Sequence, residues 1–249
     1  MKYRALFLDL DGTTIPNSSN SVPSEKVTQA IAKARDYVHI CVVTGRPLHY
    51  VQYILNHLKL SGLCILDQGA QIYDPVKKEM IREFHLNRSL ISTLYKVLQG
   101  VGEPIYIFDG KNDILYNGKT VPSTTMSMYI QNTTLDKADT VIKQIEKIPH
   151  VAVHKMASWR GNNISIEVTH EQATKLHGIV EVAKILGVKS HELIGVGDSY
   201  NDFPLLMACG LKIAMGNAVP ELKAIADFIA PTVEEDGVAT VIEKFILSS

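Results

Sequence analysis

The sequence predicts an α/β fold in which a parallel-sheet core is interrupted by an inserted α+β domain. Three changes of texture carry this reading. Over roughly the first 80 residues, short and wholly apolar runs alternate with segments of helical period. From about residue 81 helices alternate with hairpin-like segments, and from about residue 174 the first alternation returns. Continuous apolar strands separated by amphipathic helices belong to a sheet covered on both faces, which is the parallel arrangement.

The elements come in this order. "ALFLDL" (5–10) is a short apolar strand. In "SEKVTQAIAKARD", Val27, Ala30, Ile31 and Ala34 recur at helical spacing, with Ser24 as candidate N-cap. "VHICVV" is a second β-branched strand. "PLHYVQYILNHL" opens with Pro47 at the expected first helical position and stacks Leu48, Val51, Leu55 and Leu58 on one face. "LCILD" reads as a third buried strand. In the middle of the chain, "SLISTLYKVLQG" is a helix ending at Gly100, and "PIYIFDGKNDILYNG" is a hairpin turning at Asp109-Gly110. "TVPSTTMSMYIQN" is polar and favours no element. "LDKADTVIKQIEKI" is a helix, and "HVAVHKMASWRGNNISIEV" a hairpin turning around Gly161-Asn162-Asn163. The last part alternates again: helix "KLHGIVEVAKILG" closed by Gly187, strand "ELIGVG", helix "DFPLLMACG", strand "LKIAM", helix "VPELKAIA", strand "DFIAP" and a closing helix "GVATVIEKFI". The expected boundaries are a discontinuous core, 1–84 with 172–249, and an inserted domain over 85–171.

Bulk composition narrows the function classes. The 249 residues are 46% hydrophobic and 20% charged with net charge −1, so nothing draws the molecule to nucleic acid or to an acidic membrane surface. No apolar run approaches the ~18 residues of a membrane span. Cys41, Cys64 and Cys209 lie among apolar neighbours without metal-type spacing and read as reduced core residues, which suits the cytoplasm.

Polar residues collect where the strands end. Asp9 and Asp11 end the first, Thr44, Gly45 and Arg46 the second, and Asp198 the "IGVG" strand, with Asp202 four residues on. Taken singly these are ordinary: Asp before Gly forms turns, Thr-Gly-Arg-Pro suits a strand-to-helix turn, Asp198 could cap a helix, and Lys175 could be a solvated helix residue. Together they meet at the C-terminal edge of one parallel sheet, where open α/β sheets bind ligands. Carboxylates crowded there call for a cation. An all-oxygen donor set with open positions favours Mg²⁺, and no His/Cys cluster competes for zinc.

The ordered stretches "DLDGT" (9–13), "VVTGR" (42–46) and "GVGDSYNDFPLL" (195–206) resemble the first, second and fourth motifs of the haloacid dehalogenase (HAD) superfamily of phosphohydrolases. The insertion resembles the type IIB α+β cap of its Cof-type branch. The resemblance implies a Rossmann-like core carrying that cap, and a cytoplasmic Mg²⁺-dependent phosphatase acting on a small phosphorylated metabolite, such as a sugar phosphate, through an aspartyl-phosphate. Asp9 would be the nucleophile and Asp11 the acid/base. Mg²⁺ would be held by Asp9, the Asp11 backbone carbonyl and Asp198, with Asp202 in or just outside the shell. Gly12, Thr44, Gly45, Lys175 and Asn201 would hold the phosphoryl group, and the cap would close over the site and read the leaving group. Two departures stand out: Leu176 and His177 separate Lys175 from Gly178, so Lys155 and Lys184 remain alternatives, and Gln68-Gly69-Ala70 replaces the usual Asn-Gly-Ala.

Arg46, Asn112, Arg160, Asn162 and Asn163 are candidate substrate contacts, each also readable as a solvated loop residue, and Trp159 could line the cap or its core. His150 and His154 read as packing or surface residues. A phosphotransferase or mutase using the same aspartyl-phosphate is the rival enzyme. A phospho-acceptor signalling domain, which needs neither a second carboxylate nor a lid, and a non-catalytic binding protein are the rivals outside enzymes. No protein partner is implied.

Overall fold

The computed structural model describes residues 2–18, 20–60, 62–158 and 163–248, which form two compact units, 1–82 with 175–249 and 83–174. In the first unit the chain runs β1 (Ala5–Leu8), α1 (Glu25–Ala34), β2 (His39–Val42), α2 (Leu48–Leu58), β3 (Cys64–Leu66), β4 (Gln71–Asp74) and β5 (Glu79–Glu83). The second unit holds α3 (Ile91–Gln99), β6 (Tyr106–Phe108), β7 (Asp113–Leu115), β8 (Ser127–Thr133), α4 (Leu135–Ile145), β9 (Val151–Ala157) and β10 (Ile164–His170). The first unit then resumes with α5 (Lys175–Leu186), β11 (Leu193–Gly197), α6 (Phe203–Ala208), β12 (Leu211–Ala214), α7 (Pro220–Ala224), β13 (Phe228–Ile229) and α8 (Gly237–Ile242).

The first unit is built on a parallel sheet ordered β13-β12-β11-β1-β2. β1 is central and all four of its residues are buried, which is why its apolar run does not alternate. Its register aligns the strand ends. Leu8 pairs with Val42 on one side and Val196 on the other, so three strands finish level and deliver their next residues to one edge.

The helices obey the pattern read from the sequence. In α1 the Ser24 side chain accepts from the Val27 N–H at 3.1 Å, and Val27, Ala30, Ile31 and Ala34 are the buried face. In α2 the buried face is Val51, Ile54, Leu55 and Leu58, with Leu48 only partly buried beside it and Ile54 in its place. Pro47 is the residue before the helix rather than its first turn: its ψ of 164° is extended, so Leu48 begins the helix. α5 ends at Gly187, whose φ of +64° is the left-handed turn that stops it. The closing helix is regular only over α8 and widens into a π turn at Glu243–Leu247.

Three expectations need correction. "LCILD" is not a regular member of the parallel sheet. β3 touches it through one bridge, Val43 to Ile65, with the Thr44 N–H on the Ile65 carbonyl at 2.9 Å. Its ladder is instead antiparallel to β4, in a separate sheet ordered β3-β4-β5. The cause is the run Asp67, Gln68, Gly69, with φ of +51°, +58° and +110°, which reverses the chain within three residues. β4 and β5 themselves were not expected as strands; β5 is exposed along nearly its whole length and has no apolar face to announce it. Finally, the polar stretch near residue 127 forms β8, a central strand of the second unit's antiparallel sheet, ordered β7-β6-β8-β10-β9. Met128 and Ile130 supply its buried apolar face, while Ser127 and Thr133 are buried polar residues that dilute the alternation.

Among the described residues no helix is long and apolar enough to cross a membrane. Ser24 joins two distant parts of the first unit, because its hydroxyl caps α1 and also donates to Asp236 at 2.5 Å. Ser24→Ala is therefore expected to lower stability by about 1 kcal/mol, read as a fall in Tm of ~2–4 °C in a thermal melt.

Candidate active site

The level strand ends place Asp9 one residue past β1, Thr44 two past β2 and Asp198 one past β11. The ladder continues beyond the regular strand, with the Asp9 N–H donating to the Val196 carbonyl at 3.0 Å. The chain then coils tightly. The Thr13, Thr14 and Ile15 N–H groups all converge on the Leu10 carbonyl at 2.9–3.1 Å, and the Thr14 hydroxyl closes onto the Asp9 carbonyl at 2.6 Å. Gly12 sits in this coil at φ +76°, and a Cβ there would lie 2.2 Å from Asp198 Oδ2. Both facts require glycine: one for the turn, the other so that a carboxylate from the neighbouring strand can pack against it.

Lys175 is the cation of the site. It opens α5, is 1% exposed, and its Nζ lies 2.6 Å from Asp9 Oδ1 and 2.6 Å from Asp202 Oδ1. Asp202 is itself fully buried, and its second oxygen accepts the N–H groups of Asp198 and Ser199, each at 3.0 Å. Asp198 Oδ1 accepts from the Thr13 hydroxyl at 3.2 Å. The carboxylates of Asp9, Asp198 and Asp202 offer ligand atoms that all lie within 4.8 Å of one another.

One ammonium cannot neutralise three carboxylates, and burial and mutual repulsion raise the pKa of two of them. Burial, then the Asp202 charge, push the Asp9 carboxyl up to about 7 despite its bond to Lys175. Burial, then the Asp9 charge, push Asp198 well above the ordinary carboxyl range. Burial works against the Lys175 ammonium, but Asp202 and Asp9 outweigh it and hold the group charged. The donor set fits a hard divalent cation. It is all oxygen, and Asp9 keeps a second oxygen not bonded to any described residue. Asp202 fits less well as a direct ligand, since both its oxygens are committed to Lys175 and two amides, so it buttresses the others.

The second strand end is zipped to the loop after β3. The Gln68 N–H donates to the Thr44 carbonyl at 3.2 Å and the Asp67 N–H to the Arg46 carbonyl at 3.1 Å. Gln68 is fully buried, and its Oε1 accepts from Asn201 Nδ2 at 3.2 Å. A Cβ at Gly45 would lie 2.3 Å from Gln68 Nε2, so glycine there makes room for the amide. Thr44 is buried, and its hydroxyl oxygen accepts the Arg46 N–H at 3.1 Å, which leaves the hydroxyl proton to be donated elsewhere. The Arg46 side chain does not stand open toward a ligand. It forks onto Asp11, with Nε 2.8 Å from Oδ2 and Nη2 on Oδ1, and Nη2 also reaches the Ser18 carbonyl at 2.8 Å.

Asp9, Lys175, Asp198 and Asp202 thus form one bonded cluster with Gly12 against it. Thr44, Gly45, Gln68 and Asn201 form a second, while Asp11 is held by Arg46. Neither alternative lysine joins them: Lys155 pairs with Asp139 at 3.1 Å in the second unit, and Lys184 is exposed in the last turn of α5. The spacing after Lys175 is absorbed by the helix, because Gly178 faces β3, where a Cβ would meet Ile65 at 2.6 Å. Asn112 lies in the exposed turn of the β6–β7 hairpin bonded to Asp109. The Asn163 carbonyl accepts the Ser158 N–H, and Trp159, Arg160 and Asn162 lie outside the described residues. His150 is exposed beside Glu171, and His154 is buried against the Thr169 hydroxyl at 2.8 Å. Sequence reasoning missed Gln68 and Thr13 as neighbours of the site. Only the unusual Gln68-Gly69-Ala70 signalled the former.

The sequence profile of the haloacid dehalogenase-like hydrolases matches residues 6–154 and 121–242. The chain is 25% identical to the 5-amino-6-(5-phospho-D-ribitylamino)uracil phosphatase YcsE of Bacillus subtilis, over 98% of this chain and 96% of that protein. It is also 25% identical to a phosphoglycolate phosphatase of Methanobrevibacter smithii, over 99% of this chain and 100% of that one. Among solved structures, the HAD subclass IIB sugar phosphatase BT4131 has the same fold, with a TM-score of 0.80 at 21% identity, covering 97% of this chain and 98% of that one.

The cluster sets the sign of two stability effects. Lys175→Met strands two buried carboxylates and is expected to cost roughly 3–5 kcal/mol, measured by urea unfolding. Asp9→Asn acts the other way in metal-free buffer. The Asp9 carboxyl titrates at about 7 in the folded protein against 3.8 ordinarily, so between those values the folded state holds the proton more tightly. Stability from this group is full below 3.8 and is lost as pH rises through about 7. Asn cannot ionise, so Asp9→Asn should match the wild type near pH 4 and melt about 10 °C higher above pH 8 in EDTA.

Proposed function

The chain belongs to the haloacid dehalogenase-like hydrolases and is a phosphatase, and we propose that it hydrolyses a small phosphorylated metabolite, of the sugar-phosphate kind, through a phosphorylated Asp9. The observation that carries this reading is the state of Asp9. One of its oxygens is pinned by Lys175, the other is not bonded to any described residue, and the backbone beneath it is locked into a parallel ladder. A carboxylate aimed by a rigid strand and desolvated by burial is prepared to attack.

In the first step an Asp9 oxygen bonds to phosphorus, the bond from phosphorus to the ester oxygen breaks, and Asp11 gives that oxygen its proton. In the second, water attacks phosphorus, the Asp9–phosphorus bond breaks, and Asp11 takes the proton lost by the water. Phosphate leaves, and both aspartates return to their starting states. Lys175, the Thr44 hydroxyl, the amides around Gly12 and Gly45, and Asn201 are suited to the equatorial phosphoryl oxygens, where the transition state gathers charge. Mg²⁺ held by Asp9, Asp198 and the Asp11 carbonyl would offset the repulsion between an anionic nucleophile and an anionic substrate. Asp202 keeps Lys175 and the Asp198 backbone in place from behind. The substrate class is supported by the relatives, named for phosphate esters of a ribityl compound and of glycolate, and by the shared fold of the sugar phosphatase.

The test is a phosphate-release screen over phosphorylated metabolites with Mg²⁺ present or removed by EDTA. Release is expected to depend on Mg²⁺, and Asp9→Asn and Asp11→Asn should each lose at least about 10³-fold in kcat with far-UV circular dichroism unchanged. Near-normal turnover by Asp9→Asn, or phosphate passed to a second sugar with none freed, would overturn the proposal.

A further inference from the structure

We propose that Arg46 is a positioning residue that fixes the Asp11 carboxylate for both proton transfers, an inference that rests on the phosphatase reading. Asp11 has nothing of the strand to hold it. It lies beyond the end of β1, ahead of the Gly12 turn, with its side chain 23% exposed. A short acidic side chain in that place would sample several rotamers, and proton transfer to a leaving oxygen tolerates little misplacement.

The guanidinium removes that freedom. Nε–H and one Nη2 hydrogen reach the two Asp11 oxygens in parallel, the fork geometry that sets the plane of a carboxylate as well as its distance. Arg46 is itself anchored at many points. Its side chain is 5% exposed, Nη2 also bonds the Ser18 carbonyl, and the guanidinium bonds Tyr53, whose hydroxyl donates to the Ser21 carbonyl at 3.0 Å. Its backbone is tied at both ends, N–H to the Thr44 hydroxyl and carbonyl to the Asp67 amide. An arginine so buried and so committed is built to hold something in the protein, not to greet an incoming ligand.

The fork also leaves the chemistry open. Each carboxylate oxygen offers two lone pairs and the guanidinium occupies one of each, so the other side of each oxygen stays open to the leaving group and to water. The same loop places the Thr44 hydroxyl and the Arg46 guanidinium two residues apart. One short segment therefore serves the phosphoryl group directly and the proton carrier indirectly.

The test uses p-nitrophenyl phosphate and glucose 6-phosphate with Mg²⁺ as probes. Arg46→Lys keeps the charge but not the fork, and Arg46→Ala removes both. Both are expected to lower kcat, by ~10²-fold for Ala, with KM within about 3-fold of wild type, and added guanidinium should restore part of kcat in Arg46→Ala. On an Asp11→Asn background, Arg46→Lys should cost nothing further, since its effect runs through Asp11. Should Arg46→Ala fail to fold, Arg46→Lys carries the test alone. A raised KM at unchanged kcat, or an equal loss with and without Asp11, would overturn the proposal and make Arg46 a substrate contact or a scaffold residue. No wild-type turnover on any ester would instead remove the phosphatase reading, whereas an active wild type matched by Arg46→Lys would remove only this one.

Discussion

A single buried ammonium, that of Lys175, stands among more carboxylates than it can neutralise, and much of the first unit is arranged to sustain that imbalance. Two unit charges ~4 Å apart interact by about 4 kcal/mol at an effective dielectric of ~20. The like-charge terms among Asp9, Asp198 and Asp202 are therefore comparable to the attraction each feels for Lys175. The protein meets the deficit with fixed donors: the Thr13 hydroxyl on Asp198, and the Asp198 and Ser199 amides on Asp202. What these leave uncompensated is charge at Asp9 and Asp198, the two carboxylates whose titration is pushed upward. Such a site is poised to take up positive charge, and only a rigid frame keeps the carboxylates from separating to relieve the strain.

The frame is the parallel register, and the connectivity is what closes it. Lys175 and Asp9 are 166 residues apart in the chain yet bonded at 2.6 Å. Lys175 is also the first residue of the first unit after the second unit's 83–174 excursion. The return of the chain is thus pinned by a charge contact at the site itself. An insertion can be long without loosening the sheet, because each doubling of loop length adds only about 0.6 kcal/mol to the entropy of closure.

The parts of this arrangement that announce themselves in the sequence are those with a single strong periodicity. β1 is legible because both its faces are covered, so its apolar run is unbroken, β2 because Ile40, Cys41 and Val42 are buried in succession, and α1 because Val27, Ala30, Ile31 and Ala34 keep one face. From these come the strand ends, and with them Asp9, Thr44 and Asp198. β5 and β8 are not legible, the first because solvent covers it and the second because Ser127 and Thr133 are buried polar residues on the face opposite Met128 and Ile130, so no polar-out alternation marks the strand. The turn of β3 away from the parallel sheet was hidden for a different reason. It depends on backbone dihedrals at Asp67 and Gln68, residues that rarely adopt positive φ, and no side-chain pattern encodes it. Pairings such as Arg46 with Asp11 are out of reach of any spacing argument, since they depend on where two neighbouring loops happen to meet.

That strained turn explains how the site tolerates an unusual residue. Two consecutive non-glycine residues at positive φ cost of order 1–3 kcal/mol each and persist only when their surroundings fix them. Here the surroundings are the Thr44–Arg46 segment, which takes up the Asp67 and Gln68 amides, and Gly45, whose missing side chain leaves the space Gln68 fills. The Gln68 side chain then reaches Asn201 on the far side, from a loop that succeeds a different strand. A longer amide in this position joins the loops after β2, β3 and β11 into one unit, so the strain at residues 67 and 68 is balanced by bonds within the candidate site. Loosening any one of these loops would therefore shift the others. The Arg46 guanidinium, carried on the same segment, ties Asp11 into that unit as well, so the carboxylate proposed as proton carrier and the groups proposed for the phosphoryl oxygens share one rigid support although they arise from four separate stretches of chain.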